Sequence, residues 1–157
     1  MSITFCNGHG TVSLTDDELP GRLGDGSVIV FAAGLPGFPH AHRFRLESLG
    51  AALHPFQRLR HLGPHDLEIG FTVVAAGLLY PDYSVEIDED HQASLGISSA
   101  DDVVTYLLIT VPRPPQPPTA NLLGPVVINR RTGAAAQVVQ HRSSYRVAEP
   151  LPASRPG

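Results

Sequence analysis

The sequence predicts an all-β, mainly antiparallel fold, either a sandwich or a barrel. Short runs of alternating apolar and polar residues recur along the chain, and fifteen glycines and fifteen prolines interrupt them. The 157 residues suit one domain, because domains commonly hold about 100 to 150 residues. We expect this domain to span residues 1–149 and the proline-rich residues 150–157 to form a disordered tail.

Strands are expected wherever such runs occur, at residues 11–14, 27–31, 42–47, 68–76, 83–87, 103–111, 126–129 and 135–141. In residues 42–47, Phe44 and Leu46 alternate with charged residues, which indicates one buried face and one exposed face. Segment 55–62 is ambiguous. Its apolar residues recur every three positions and fit a helical turn as well as a strand.

One short helix and one hairpin are expected among these strands. Residues 98–102 fit a helix of one or two turns, because a serine can cap it and two aspartates suit its amino terminus. Residues 126–129 and 135–141 are expected to pair around the turn at 130–133. The proline-rich residues 112–118 predict a stiff, extended loop.

Charge is distributed unevenly along the chain, whose net charge is −4. Between Arg60 and Arg113 histidine is the only basic residue type, whereas nine acidic residues lie in that interval. From Arg113 onward, six arginines accompany the single acid Glu149. An acidic surface attracts a basic protein and repels nucleic acid, although a surface that is merely solvated has the same composition.

Patterns typical of catalysis or metal binding are missing from the sequence. His40 and His42 would share one face of a strand, but no HExxH, CxxC or second histidine pair accompanies them. There is no GxSxG, and residues 21–26 lack the pattern of a phosphate loop. We therefore expect no catalytic residue, no metal and no cofactor.

The single cysteine and the apolar runs bear on the cellular compartment. Cys6 has no partner for an internal disulfide, which fits a reducing cytoplasm. The first residues lack the features of a secretory signal, and no apolar run approaches the ~20 residues that span a bilayer. We expect a cytoplasmic protein that does not enter a membrane.

Five segments carry a resemblance, namely FAAGLPGFPHAHRFRL at 31–46, GFTVVAAGLLYPDYSVEI at 70–87, LGISSADDVVTYLLITVP at 95–112, TANLLGPVVIN at 119–129 and AQVVQHRSSYRV at 136–147. In this order they resemble the FliW family of flagellar assembly factors, over about residues 11–150. The Gly-Leu-Pro-Gly-Phe turn and the Thr-Ala-Asn-Leu-Leu segment are the most specific parts of the match.

The resemblance implies a small β-barrel-like single domain with one or two short helical turns. It also implies a monomeric protein that is not an enzyme and has two competing partners, flagellin and the RNA-binding translational repressor CsrA. In the family, the factor sequesters CsrA while flagellin is scarce, so flagellin mRNA is translated. Accumulated flagellin then occupies the factor, and the freed CsrA represses translation. Direct contact with nucleic acid is not expected.

Partner-binding residues are assigned as hypotheses. The surface facing CsrA is expected to include five carboxylates, because their negative charges can compete with RNA phosphates for this repressor. These carboxylates are Asp82, Glu86, Asp88, Glu89 and Asp90. Tyr83, within this stretch, is also assigned to partner binding. Flagellin is expected at Thr119 and Asn121. Phe38 is also assigned to partner binding, because an aromatic ring on a rigid turn loses little entropy on docking.

Segment 119–129 also has a purely structural interpretation. Its leucines and valines suit core packing, and Gly124 with Pro125 would bend or end a strand. The bend would let Asn121 and Asn129 hydrogen-bond to neighbouring backbone. Under the functional interpretation, the same bend holds residues 119–121 against flagellin.

Two other classes of protein remain open. One is a small β-barrel nucleic-acid-binding module that uses the arginines from Arg113 onward, which the net charge and the lack of an aromatic platform disfavour. The other is an enzyme with a histidine or carboxylate site, which the missing motifs disfavour.

Overall fold

The structure, a computed structural model, describes residues 3–6, 22–63, 69–141 and 143–152. Its strands are β1 (Ile3–Cys6), β2 (Val28–Phe31), β3 (Arg43–Ser48), β4 (Gln57–His61), β5 (Gly70–Ala75), β6 (Ser84–Ile87), β7 (Val103–Thr110), β8 (Thr119–Ala120), β9 (Val126–Asn129), β10 (Ala134–Gln137) and β11 (Glu149–Pro150). Its helices are α1 (Ala76–Leu79) and α2 (Glu89–Leu95), with short 3-10 turns at Ala51–Leu53 and Ala100–Asp102. Within these ranges, no helix is long and apolar enough to cross a membrane.

Seven strands close into a barrel in the order β7-β5-β4-β3-β2-β10-β9. The barrel closes at β7, which pairs with β5 along one edge and with β9 along the other. Neighbouring strands of the barrel are antiparallel except for β2 and β10, which are parallel. Strands β8 and β11 extend the sheet beyond β7. The predicted mainly antiparallel all-β fold is confirmed.

The barrel interior holds the first hydrophobic core. Alternate residues of each strand point inward, and the largest of those that are fully buried are Tyr106, Phe31, Phe44, Ile29, Leu46, Leu59 and Ile128. Phe31 and Phe44 meet edge to face, with ring centroids 5.4 Å apart. Each such side chain contributes about 1.5 to 3 kcal/mol on burial, so the interior is the main source of the barrel's stability.

A second core lies outside the barrel, against β5, β7 and β9. Their outward residues Val74, Leu107 and Val127 pack with Val85 and Ile87 of β6, and all five are buried. Strand β6 forms a separate two-stranded sheet with β1. Because β7 is covered on both faces, its sequence is apolar almost throughout rather than alternating.

Several local predictions are resolved by this architecture. The hairpin is confirmed, with Ala135 opposite Ile128, although β10 ends at Gln137. The ambiguous segment 55–62 contains strand β4. The helix expected at 98–102 is the 3-10 turn, in which the Asp102 carboxylate accepts hydrogen bonds from backbone N–H groups.

Other predictions lie outside the described residues or differ from the structure. The strand expected at 11–14 and residues 153–157 of the expected tail lie outside the described residues. Pro150, where that tail was expected to begin, forms β11 together with Glu149. Helices α1 and α2 and strand β1 have no counterpart in the sequence prediction.

Candidate protein-interaction site

Strand β6, helix α2 and the residues next to them carry exposed carboxylates on the side of the barrel covered by the second core. We call them the acidic unit, which comprises Asp82, Glu86, Asp88, Glu89 and Asp90. Val85 and Ile87 are fully buried on either side of Glu86 in the sequence, so the period of two along β6 turns Glu86 to the surface. The second core therefore fixes which side chains the acidic unit presents.

Helix α2 begins at a side-chain cap and ends at a glycine. Asp88 Oδ1 accepts a hydrogen bond from the backbone N–H of His91 at 2.8 Å, and His91 Nδ1 lies 2.8 Å from Asp88 Oδ2. These bonds, the backbone one foremost, lower the pKa of the Asp88 carboxyl below its usual value. Gly96 ends the helix with φ of 66°, in the left-handed region that favours glycine.

Two side chains complete the inner edge of β6. Gln140 Oε1 accepts a hydrogen bond from Glu86 N at 2.8 Å, and its Nε2 donates to Glu86 O at 3.1 Å. The Tyr145 hydroxyl lies 3.2 Å from Ser84 N and donates to Ser84 O at 3.1 Å. Strand β1 occupies the other edge, so these side chains satisfy peptide groups that no strand reaches.

The carboxyl end of α2 is held to the barrel by one asparagine. Asn129 is fully buried, and its Nδ2 donates to the carbonyl oxygens of Leu95 at 2.8 Å and Gly96 at 3.2 Å. Its Oδ1 accepts a hydrogen bond from the backbone N–H of Arg131 at 2.9 Å. Asn129 thus satisfies carbonyls that the helix leaves free at its end and fixes the helix against β9.

A first hollow lies at the start of the acidic unit, with a volume of ≈ 330 Å³. We call it the tyrosine hollow; it is lined by Leu79, Tyr80, Pro81, Asp82, Tyr83, Leu122 and Tyr145. The Tyr83 hydroxyl donates to the Leu122 carbonyl at 2.5 Å, and the Tyr80 hydroxyl donates to the Pro150 carbonyl at 3.3 Å. Because the hydroxyls are engaged in this way, the hollow offers mainly ring and aliphatic carbon. Burial raises the pKa of Tyr83 far above its usual range, so this hydroxyl stays neutral.

Segment 119–129 forms one wall of the tyrosine hollow through Leu122. Asn121 Oδ1 accepts a hydrogen bond from Gly124 N at 2.9 Å, which closes the bend. Gln137 Nε2 donates to the Gly124 carbonyl at 2.9 Å. A Cβ at Gly124 would lie 2.6 Å from Gln137 Nε2, so glycine permits this close approach. The expectation that Asn121 and Asn129 bond to nearby backbone is confirmed.

A second hollow, of ≈ 400 Å³, lies beside helix α2. We call it the turn hollow; it is lined by Ala33, Gly34, Leu35, Pro36, Gly37, Pro39, His91, Ala136 and Gln137. The turn is closed by Phe38 N, which donates to the Leu35 carbonyl at 2.7 Å. The Phe38 ring meets Phe71 edge to face, with centroids 5.8 Å apart, and remains 40% exposed. This turn therefore lies next to the acidic unit.

The residues predicted from the sequence occupy different environments. The five carboxylates of the acidic unit are exposed, whereas Thr119 and Asn121 are half-buried. Tyr83, in contrast, is only 3% exposed. The alternation of β6 turns it inward together with Val85, so its ring supports the wall of the tyrosine hollow instead of standing on the open surface.

Four further residues shape the site and are absent from the sequence prediction, namely His91, Gln137, Gln140 and Tyr145. Helix α2, and hence His91, has a local signal in a capping aspartate and a closing glycine. The contacts of Gln140 with Glu86 and of Tyr145 with Ser84 span 54 and 61 residues. No local pattern reveals such pairs.

The chemistry of the site is that of a binding surface. Charged carboxylates border apolar hollows, an arrangement typical of protein interfaces with a polar rim. Among the described residues, no group of three or more His, Cys, Asp or Glu is placed to hold a metal ion. Of the two histidines His40 and His42, His42 contacts the backbone, with its Nδ1 atom 2.8 Å from the Phe31 carbonyl oxygen.

Comparison with known proteins gives a consistent result over nearly the whole chain. Residues 9–151 match the family described as FliW protein. The flagellar assembly factor FliW of Bacillus licheniformis is 34% identical over 143 residues, covering 91% of this chain and 92% of that protein. The flagellar assembly factor FliW of Treponema pallidum is 34% identical over 119 residues, covering 76% and 77%.

A solved structure agrees with the sequence comparison. The crystal structure of a flagellar assembly factor FliW is similar with a TM-score of 0.69 and 26% identity, and the match covers 96% of both chains. The flagellar assembly factor FliW of Bacillus subtilis is 30% identical and covers 91% of this chain. The chain therefore belongs to the FliW family.

Proposed function

We propose that this protein is a monomeric, cytoplasmic flagellar assembly factor that binds flagellin and sequesters the translational repressor CsrA. Bound flagellin releases CsrA, which then represses translation of flagellin mRNA. The exchange needs no catalytic group and no cofactor, since only binding equilibria change. Membership of the FliW family supports the role in flagellar assembly. The position of the acidic unit supports the exchange of partners.

The acidic unit runs between the two hollows, and this layout carries the proposal. Its first carboxylate, Asp82, lines the tyrosine hollow together with Leu122 of segment 119–129. At its other end, His91 of α2 lines the turn hollow together with residues that flank Phe38. The surface assigned to CsrA is thus contiguous with the segment assigned to flagellin and with the turn that carries the partner-binding residue Phe38. A partner seated in either hollow would overlap a partner seated on the carboxylates.

Overlapping sites have a thermodynamic consequence. Two partners that exclude each other lower each other's affinity by the same factor. Exposed carboxylates speed the capture of a basic partner and make it sensitive to salt. Apolar hollows instead suit the aliphatic or aromatic side chains that anchor a protein interface. Charge changes in the acidic unit should therefore weaken CsrA binding more than flagellin binding.

Calorimetric titration with the CsrA of the same cell tests the proposal, first alone and then with the cognate flagellin already bound. We expect tight CsrA binding that flagellin abolishes. In the variant Glu86→Arg with Asp90→Arg, CsrA affinity should fall about tenfold or more at low salt, because close charge pairs at an interface are worth about 1.5 kcal/mol or more each. Flagellin affinity should stay within about twofold of the wild-type value.

Asp101→Arg provides the control for Glu86→Arg alone, because each replaces one carboxylate with one guanidinium and Asp101 is an exposed acid outside the acidic unit. An equal loss of CsrA affinity in this control would assign the effect to net charge rather than to a surface. A stable ternary complex of the three proteins would contradict mutual exclusion. Flagellin binding without any CsrA binding would contradict the sequestration step.

A further inference from the structure

The part of the chain that the structure describes covers the barrel on one side. The second core lies over β5, β7 and β9, whereas the outward residues of β2, β3 and β4 carry no such layer among the described residues. Val28 and Val30 on β2 are 36% and 38% exposed. This uncovered face is separate from the acidic unit, which lies over the second core.

Arginines dominate the uncovered face, which comprises Val28, Val30, Arg43, Arg45, Glu47, Arg58 and Arg60. Its one acid, Glu47, lies opposite Arg58. In the strand register, Val28 lies opposite Arg45, and Arg45 lies opposite Arg60. Arg60 Nε binds the Glu47 carboxylate. Arg43, Arg45 and Arg58 are exposed and form no ion pair with a described residue.

Like charges meet on this face. Arg45 lies directly opposite Arg60, a pairing that is unfavourable on a sheet, and the Glu47 carboxylate offsets the charge of Arg60. Arg45 has no such carboxylate among the described residues, so a bound anion would offset its charge. Arg58 is also drawn over the neighbouring strand, because a Cβ at Gly70 would lie 2.8 Å from its Nε and Nη2 atoms. The absence of a side chain at Gly70 lets the guanidinium lie flat on β5.

We propose that this arginine face docks an acidic protein segment that also carries aliphatic side chains. Carboxylates of the segment would pair with the guanidiniums, for which Arg has matched, bidentate geometry. Aliphatic side chains would cover Val28 and Val30. The inference does not depend on the proposed exchange of flagellin and CsrA, because it concerns the other side of the barrel.

A protein segment fits the face better than a nucleic acid does. The outward positions of β2, β3 and β4 carry no aromatic residue, whereas single-stranded nucleic acid is usually held by stacking on aromatic rings. Two exposed valines in line with the arginines offer apolar contact that a phosphate backbone does not use.

Fluorescence anisotropy with three labelled probes tests this proposal on the full chain. The probes are a 16-residue peptide (about 50 Å extended) mixing Glu with Val and Leu, a poly-Glu peptide of the same length, and an oligo-uridine RNA of about the same length. We expect the mixed peptide to bind most tightly, poly-Glu more weakly, and the RNA least. Binding of the mixed peptide should weaken as salt increases.

Two variants locate the binding surface. Arg43→Glu with Arg45→Glu should weaken mixed-peptide binding about tenfold or more, since two favourable charge contacts become repulsive. Val28→Thr with Val30→Thr should weaken binding of the mixed peptide but not of poly-Glu, because it removes only apolar contact. Circular dichroism and the melting temperature confirm that each variant is folded.

The matched control is Arg113→Glu with Arg146→Glu, which changes net charge equally at exposed positions that do not lie on β2, β3 or β4. This control should bind the mixed peptide within about twofold of wild type, as expected for distant surface charges. Equal losses in both double variants would overturn the proposal. So would tighter binding of RNA than of either peptide, or no binding of the mixed peptide at low salt.

Discussion

The side-chain amide of Gln140 forms hydrogen bonds with both peptide groups of Glu86, accepting from N at 2.8 Å and donating to O at 3.1 Å. Gln140 is 5% exposed, and its Nε2 also lies 3.1 Å from the Val138 carbonyl. The Gln140 side chain thus forms the hydrogen bonds that a neighbouring strand would otherwise form with this part of β6. It links the acidic unit to the chain that follows β10.

Replacing Gln140 should loosen the acidic unit. Gln140→Ala should lower the free energy of unfolding by about 2 kcal/mol, because two peptide groups of Glu86 lose their partners. Urea unfolding measures this loss, and hydrogen exchange should show a less protected Glu86 amide. Gln116→Ala, at an exposed position in the proline-rich loop, should change stability by less than about 0.5 kcal/mol. Unchanged Glu86 protection in Gln140→Ala would contradict the role of this amide.

Asn129 should be more important to stability than Asn121. Asn129→Ala removes two donated bonds to the end of α2 and one accepted bond at the following turn. We expect a loss of about 2 to 3 kcal/mol in unfolding free energy. Asn121→Ala removes one bond at a half-buried position and should cost about 1 kcal/mol. Denaturant unfolding compares the two, and equal losses would count against Asn129 as the anchor of α2.

Gly34 and Gly37 in the turn beside α2 offer a matched pair of substitutions. Both have positive φ, of 69° and 86°. A Cβ at Gly34 would lie 2.7 Å from the carbonyl oxygens of Phe38 and Pro39, whereas a Cβ at Gly37 would meet nothing within 4 Å. Gly37→Ala should cost about 1 to 2 kcal/mol from backbone strain alone.

Gly34→Ala should cost about 3 kcal/mol or more, because the turn must also open to admit the methyl group. Thermal unfolding of both variants checks the difference. A Gly34→Ala variant as stable as Gly37→Ala would show that the turn adapts without cost. The comparison isolates the close backbone approach, since the two positions share their conformational strain.

Tyr106 gives the protein a dependence on alkaline pH. Its hydroxyl donates to Gln57 Oε1 at 2.8 Å and accepts from Leu23 N at 2.8 Å, inside the barrel. Burial raises the pKa of Tyr106 from 10.0 to about 12. A raised pKa means that the folded state favours the neutral hydroxyl. The stabilisation is therefore complete below pH 10 and is lost as the pH rises from 10 toward about 12.

Tyr106→Phe tests this dependence. At neutral pH the variant should lose about 1 to 2 kcal/mol of unfolding free energy, because Gln57 and Leu23 each lose a partner. The stability of the wild type should fall between pH 10 and about 12 more steeply than that of the variant. Urea titrations across this range measure both slopes. Parallel slopes would show that Tyr106 does not titrate in this window.

Much of the fold follows from local sequence. Alternation places Phe44 and Leu46 inside β3 and exposes the arginines between them, as the structure shows. The turn residues predicted the hairpin of β9 and β10. The capping aspartate and Gly96 are local signals for helix α2. Its acidic residues, however, are equally typical of a solvated loop. The alternation of apolar and polar residues in β6 correctly predicts one exposed face. No local pattern identifies β1 as its partner strand.

The sequence by itself determined the all-β class, most of the strands, the family and the acidic character of residues 82–90. These depend on periodicity, turn chemistry and charge, which act between residues close in the chain. Only the tertiary structure decided which strands pair to close the barrel, among them β7 with β9 and β2 with β10. It also decided that Asp82 meets Leu122 in one hollow and that the arginine face lies apart from the acidic unit. These relationships depend on pairing and burial between residues distant in the chain, whose free energy has no local signature.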